Sequence, residues 1–386
     1  MPNRPPFAEE PGYFTHPGLS EPRTKEEWRD YLNYKLPPRP TLLPLKDYKE
    51  LGSTERRLHN KPRMAYHSAL VIVRTTKLKT IHHQIARRMA TNAEQPAGAR
   101  RGIVIDGQAT LGKSTLVKTF AADFEHELRR DYPERFTRTY IVEDHVIDYT
   151  PVVYVSIPSQ ATPKDLSVAL AHYLGQKYRA GATKGDITQL VLKNMRLVGT
   201  ELVIIDDAHF MDLSLKEGKV VNDHLKYIAN HTAATFVYTG VDLHHSGLFL
   251  EGAGGNRATQ TSGRNTLVRL TPYAIETREQ KAEWTSVISA MEDALVLYHH
   301  QPGTLKRAWK YLHRRTRGNI SSLAELICEA AAEAVLTKAE RIDRALLEDI
   351  VINEHAQSTY ENTRPHDGPT PPATDAKRPS GEEAAS

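Results

Sequence analysis

The sequence predicts an α/β fold, an open parallel sheet with helices on both faces, followed by a small all-helical domain. Three observations predict it. Short apolar runs alternate with helical patterns between about residues 66 and 270, the alternation expected of helices packed on a parallel sheet. A glycine-containing loop joins the first of those runs directly to a helix. Beyond about residue 272 no strand pattern remains, and apolar residues recur only at helical spacing.

Taken in order, the first helix of the alternating region places Leu78, Ile81, Ile85 and Met89 on one face and ends near Pro96 and Gly98. The strand GIVID (102–106), the loop and a helix over about 113–130 follow. Further strands are VVYVSI (152–157), ELVIID (201–206) and ATFVYT (234–239), each an apolar run of the kind buried on both faces. Between them, Leu166, Leu170 and Leu174 mark one helix, and residues 217–230 form another. In the helical region Leu305, Ala308, Trp309 and Leu312 fall at i, i+3, i+4 and i+7; Leu323, Leu326, Ile327 and Ala330 repeat the stripe, and Leu346, Leu347 and Ile350 carry the last one.

Ten of the 23 prolines lie in residues 1–44 and five more between Pro365 and Pro379. Proline lacks a backbone donor and resists helix and sheet, so both ends are expected to be extended arms around a folded middle. The expected division is a proline-rich N-terminal arm (1–60), an α/β core (61–271), a helical lid (272–356) and a disordered tail (357–386).

Composition narrows the function classes. With 39% hydrophobic and 25% charged residues, the chain has the make-up of a globular protein with a sizeable core. No apolar run approaches the roughly 20 residues of a membrane span, and MPNRPPFAEEPGYF lacks a signal-peptide pattern, so a cytoplasmic location is expected. The single cysteine, Cys328, excludes an internal disulfide framework and reads as a buried thiol. A net charge of +4 is compatible with a nucleic-acid partner without requiring one.

The chemistry-bearing motif is Gly107-Gln108-Ala109-Thr110-Leu111-Gly112-Lys113-Ser114-Thr115, which fits the G-x-x-x-x-G-K-S/T phosphate loop and sits in the strand-loop-helix context that motif needs. Backbone N–H groups and the helix N-terminus would face the phosphates of ATP. Lys113 would neutralise phosphate charge, and the Ser114 hydroxyl would ligate Mg²⁺. The second element is Leu202-Val-Ile-Ile-Asp206-Asp207, which delivers two carboxylates at the C-terminal end of a buried strand, the end where open α/β sheets bind ligands. Asp206 is expected to hold Mg²⁺, directly or through water. Asp207 stands where many such ATPases carry the glutamate that activates the attacking water, and its shorter side chain predicts slow hydrolysis.

Weaker signals leave alternatives open. Thr239 is either a polar sensor of the γ-phosphate or a strand-terminal threonine before Gly240. Arg257 and Arg264 lie in GAGGNRATQTSGRNT, and Arg264 is either an arginine that reaches a neighbouring subunit's γ-phosphate or a solvated loop residue. Arg317, just before a helix start, is a candidate nucleotide contact within the same chain. The histidine pairs His82-His83, His244-His245 and His299-His300 point about 100° apart on a helix and do not chelate together. The basic pairs Arg87-Arg88, Arg100-Arg101, Arg129-Arg130 and Arg314-Arg315 fit a phosphate-backbone path or solvated helix faces equally.

These residues resemble the AAA+ ATPases of transposons, the TniB and TnsC group, related in role to MuB. The resemblance runs from about residue 55 to 353 and rests on the phosphate loop, on IIDDAHFMDLSLKEGKVVNDHLKYIANHTAATFVYTGVDL and on RRTRGNISSLAELICEAAAEAV. It implies an AAA+ core with a helical lid, and an ATP-dependent regulator that oligomerises on double-stranded DNA and recruits or activates a transposase. It further implies that Lys113 and Ser114 bind nucleotide and Mg²⁺, that Asp206 is the Walker B acid, that Asp207 stands at the catalytic acid, that Thr239 is the sensor and that Arg264 stands near the finger arginine. The sequence departs from the family pattern at Asp207, in the glycine-rich finger region and in an apparent insertion at 131–150. The competing expectation is a signalling or defence switch of the STAND type, which holds nucleotide and binds protein partners rather than DNA.

Overall fold

The computed structural model describes residues 20–69, 73–96, 98, 100–142, 145–211, 217–243, 265–353, 356–358 and 360. Its centre is a five-stranded parallel sheet of β1 (Gly102–Asp106), β4 (Val152–Ser156), β5 (Leu202–Asp206), β6 (Thr235–Gly240) and β7 (Asn265–Arg269), ordered β4-β5-β6-β1-β7. The four expected apolar runs are β1, β4, β5 and β6, with β7 added at the edge, and β1, β5 and β6 are buried along their whole length. Because β6 lies between β1 and β5, the register aligns Asp106 with Gly240 and Ile205 with Tyr238. The carboxylates that end β1 and β5 therefore flank the end of β6.

Helices α4 (Thr76–Ala93), α5 (Lys113–Asp131), α7 (Pro163–Tyr173), α8 (Lys184–Leu197) and α9 (Glu217–Asn230) accompany the sheet. Local sequence starts two of them: Thr162 with Asp165, and Thr183 with Asp186, each form a reciprocal capping box. The apparent insertion is a short helix, α6 (Pro133–Thr137), followed by an antiparallel hairpin of β2 (Thr139–Val142) and β3 (His145–Asp148). After β7 the described chain is helical: α10 (Arg278–Asp293), α11 (Thr304–Arg307), α12 (Trp309–Thr316), α13 (Ile320–Leu336) and α14 (Arg344–Asp349). Their apolar stripes close a second core around Trp284, Leu312, Leu326 and Ala330.

The N-terminal segment differs from an extended arm. Residues 25–68 carry α1 (Lys25–Asn33), α2 (Leu45–Glu50) and α3 (Ser53–Ser68). The reason is where the prolines fall: Pro37, Pro38, Pro40 and Pro44 occupy the connector between α1 and α2, and only Pro62 lies inside a helix. Trp28 of α1 is buried in the main core, where its indole donates to Glu125 of α5 at 2.8 Å. Lys25 and Arg29 pair with Asp148 of the hairpin. Arg63 of α3 is 0% exposed and pairs with Glu340 beyond α13, while also donating to the Val296 carbonyl at 3.0 Å. The first 49 described residues thus fasten onto both cores: α1 holds the sheet domain, and α3 holds the helical one. The tail expected over 357–386 lies outside the described residues except for 357, 358 and 360.

Candidate nucleotide site

The loop after β1 turns through two left-handed residues, Thr110 (φ 63°) and Gly112 (φ 79°), and Gly112 caps α5. Gly107 is required by space: a Cβ there would lie 2.7 Å from the Leu270 carbonyl oxygen. Gln108, Ala109 and Thr110 are exposed, whereas Leu111 is buried and anchors the loop. Ser114 and Thr115 form the first turn of α5. Lys113 is buried and its ammonium donates to the Gly107 and Gln108 carbonyls at 2.9 and 2.7 Å. Burial pushes this ammonium below the ordinary lysine range, while the carboxylates of Asp207, Asp206 and Asp106 oppose the shift.

Asp206 is 1% exposed and accepts three hydrogen bonds. Oδ1 takes the Asp207 N–H at 3.0 Å and the Thr239 hydroxyl, and Oδ2 takes the Tyr154 hydroxyl at 2.8 Å. The end of β6 thus delivers Thr239 to the end of β5, and its hydroxyl is committed to the neighbouring carboxylate. Burial, with Asp206 and Glu21 adding to it, holds the Tyr154 phenol well above its usual range, so it keeps its proton. Asp207 is left-handed (φ 54°) and half-buried, its carboxylate 4.0 Å from His209 Nδ1. Burial first, then the charge of Asp206, raises its carboxyl above the usual carboxylate range, with His209 and Lys113 partly offsetting the rise.

Beside the loop, an apolar cavity of about 120 Å³ opens along the seam between the two cores. Leu78, Leu111 and Leu270 line it from the sheet domain, Ile320 and Ala324 from the helical one, and Gly112 and Thr115 form its phosphate-loop end. Asn319 ties the helical domain to the phosphate loop, and Tyr273, itself part of the helical core, fixes the Gly318 turn beside the cavity. Asn319 caps α13 through its side-chain oxygen and donates from Nδ2 to Thr110 Oγ1 at 2.7 Å. The Tyr273 N–H donates to the Gly318 carbonyl at 2.8 Å, and His313 Nε2 donates to the Tyr273 carbonyl at 2.8 Å.

The structure therefore brings the phosphate-loop residues, Asp206, Asp207 and Thr239 to one end of the sheet. Arg317 is an exposed left-handed residue closing α12, one position before the seam glycine. Arg257 and Arg264 lie outside the described residues. The sequence reading missed Tyr154, Asn319, Glu21 and Lys118. Tyr154 had one available signal, being the hydroxyl-bearing residue of an otherwise aliphatic strand core. Glu21, which accepts from the Tyr154 hydroxyl and pairs with Lys118 at 3.0 Å, had none.

The fold matches solved structures of the AAA+ P-loop class. One is the Aeropyrum pernix ORC1 protein in complex with DNA, at TM-score 0.50 and 13% identity, covering 73% of this chain and 65% of that one. Another is the Aeropyrum pernix ORC2 protein in ADPNP–ADP complexes, at TM-score 0.51 and 12% identity, covering 76% of this chain and 69% of that one. At these identities the likeness is one of fold, and this chain spans just under two thirds of the length of that ORC1 protein. No curated protein matches the sequence. Residues 63–248, which hold the phosphate loop and both Asp206 and Thr239, match the family model of the bacterial TniB protein.

Proposed function

We propose that this chain is an ATP-dependent regulator of DNA transposition, which binds Mg²⁺ and ATP at the seam, oligomerises on double-stranded DNA and recruits or activates a transposase. The observation that carries the reading is the convergence of the phosphate loop, the Asp206 cluster and a cavity shared by both cores. The TniB match supplies the link to transposition. Among fold relatives, the DNA complex of the ORC1 protein is a property of that protein and supports the DNA arm of the reading by analogy alone.

In this reading each residue has a definable task. Gly107, Thr110 and Gly112 shape the loop so that its N–H groups face phosphate. Lys113 exchanges the Gly107 and Gln108 carbonyls for phosphate oxygens, a stronger charge-assisted contact. The cavity takes the base, bridging sheet and lid, so nucleotide occupancy stiffens the seam. Ser114 and Asp206 offer a hydroxyl and a carboxylate, hard oxygen donors of the kind Mg²⁺ takes. When bound, that cation would neutralise charge developing on the phosphates. Thr239 holds Asp206 in orientation. Asp207 is the group assigned to accept a proton from attacking water. Its reach is one methylene shorter than glutamate, which makes turnover slow. Arg264 and Arg317 remain candidates for contacts to phosphate, the first from a neighbouring subunit.

Fluorescence anisotropy of a labelled duplex tests the function directly. Binding that requires a slowly hydrolysed ATP analogue, and that disappears in Lys113→Ala, is the expected result. Tight nucleotide binding with indifference to DNA would replace this reading with the STAND-type switch.

A further inference from the structure

The phosphate loop, Walker B strand and cavity leave one acidic residue of the site unexplained. Glu21 lies just ahead of α1, outside both the sheet and the lid. It accepts from the Tyr154 hydroxyl, the same hydroxyl whose oxygen lies 2.8 Å from Asp206 Oδ2. A phenol has one proton, so only one of the two carboxylates can take it fully at a time. Lys118 holds Glu21 in place at 3.0 Å and lies one helical turn after Ser114, on the same face of α5. Its ammonium also sits 5.7 Å from the centre of the Tyr154 ring. The charge of Glu21 is thus largely balanced by Lys118, and its distinct effect on the site passes through the Tyr154 proton.

We infer that Glu21 is a positioning residue of the nucleotide site: by drawing the Tyr154 proton to itself, it leaves Asp206 Oδ2 free to serve a cation. Asp206 already receives the Asp207 N–H and the Thr239 hydroxyl on Oδ1, so Oδ2 is the oxygen with lone pairs to give. Without Glu21 the phenol donates wholly to Oδ2, and a cation must compete with it. The segment before α1 is thereby part of the nucleotide site. Since α1 is fixed by Trp28 to Glu125 and by Lys25 to Asp148, Glu21 is held by the body of the domain.

This inference rests on the proposed Mg²⁺ and ATP site, and binding measurements on the full chain separate the two. A fluorescent ATP analogue is titrated with Mg²⁺, and its affinity in EDTA is measured alongside. Glu21→Ala is expected to raise the Mg²⁺ midpoint about fivefold, the size of one redirected hydrogen bond to a charged group, with affinity in EDTA unchanged. Glu21→Gln keeps an acceptor for the phenol and is expected to restore most of the wild-type midpoint. In a Tyr154→Phe background, Glu21→Ala is expected to change nothing further. An unchanged midpoint in Glu21→Ala, or the same shift with phenylalanine at 154, would overturn the positioning role while leaving the site intact. A wild-type protein that binds no nucleotide with or without Mg²⁺ would overturn the site reading itself.

Discussion

Gly318→Ala probes the seam on which the nucleotide reading depends. Gly318 is left-handed (φ 70°), and a Cβ there would lie 2.0 Å from the Tyr273 carbonyl oxygen and 3.0 Å from His313 Nε2. Real Cβ atoms do not approach backbone atoms within 3.0 Å, so the lid turn or the Tyr273 peptide must move by at least 1 Å. The left-handed conformation costs alanine about 1 kcal/mol. Losing the bonds from Tyr273 N–H to Gly318 and from His313 to Tyr273 costs about 1 kcal/mol each. The sum is about 3 kcal/mol, concentrated where Gly318 and Tyr273 line the cavity. If two thirds of that weighs against the closed seam, affinity for an ATP analogue falls about 30-fold. The assay is anisotropy of a fluorescent ATP analogue. Gly303→Ala is its control, being equally left-handed (φ 81°) but meeting only the Arg307 side chain, away from the cavity. Wild-type affinity in Gly318→Ala, or an equal loss in Gly303→Ala, would refute the seam as the binding place.

Other expectations follow from the same geometry. Asp207→Asn should bind ATP as the wild type does and lose turnover in a phosphate-release assay; equal turnover would mean that another group activates the water. Trp28→Ala should lower stability by about 3–5 kcal/mol in urea denaturation followed by circular dichroism, because a buried indole and its bond to Glu125 are removed; a loss below 1 kcal/mol would show that α1 is not part of the core. His67 and His224 are both buried, and burial pulls each down to about 4. They are neutral in the folded chain and take up protons on unfolding below their ordinary range. Their contribution is present above about pH 6.5 and is lost as pH falls toward 4, by roughly 2–3 kcal/mol each. Urea midpoints at pH 7 and 4.5 should therefore differ less in the His67→Gln/His224→Gln variant than in the wild type.

The strands and the phosphate loop were legible because their signals are local. A buried parallel strand must be apolar along its whole length, and the loop's glycines and lysine are fixed by backbone shape and phosphate charge. The N-terminal helices were hidden because the prolines were counted over the whole segment, whereas residues 25–36 and 45–61, which carry α1, α2 and the start of α3, contain none. Thr239 was visible as a polar strand end, but its bond to Asp206 depends on β6 lying between β1 and β5, and that order is not written in any one run. Asn319 and Glu21 became visible only in three dimensions, and Tyr154 showed in the sequence only as a hydroxyl within an aliphatic strand. They reach the site from an edge strand, from the lid and from ahead of α1, and their sequence neighbourhoods carry no nucleotide motif.

The central claim is that ATP binds where the phosphate loop meets the seam, and titration calorimetry with a slowly hydrolysed ATP analogue and Mg²⁺ tests it most directly. The account predicts one site per chain in the wild type and no measurable heat of binding in Lys113→Ala of unchanged thermal stability. Equal affinity in the two proteins would contradict it.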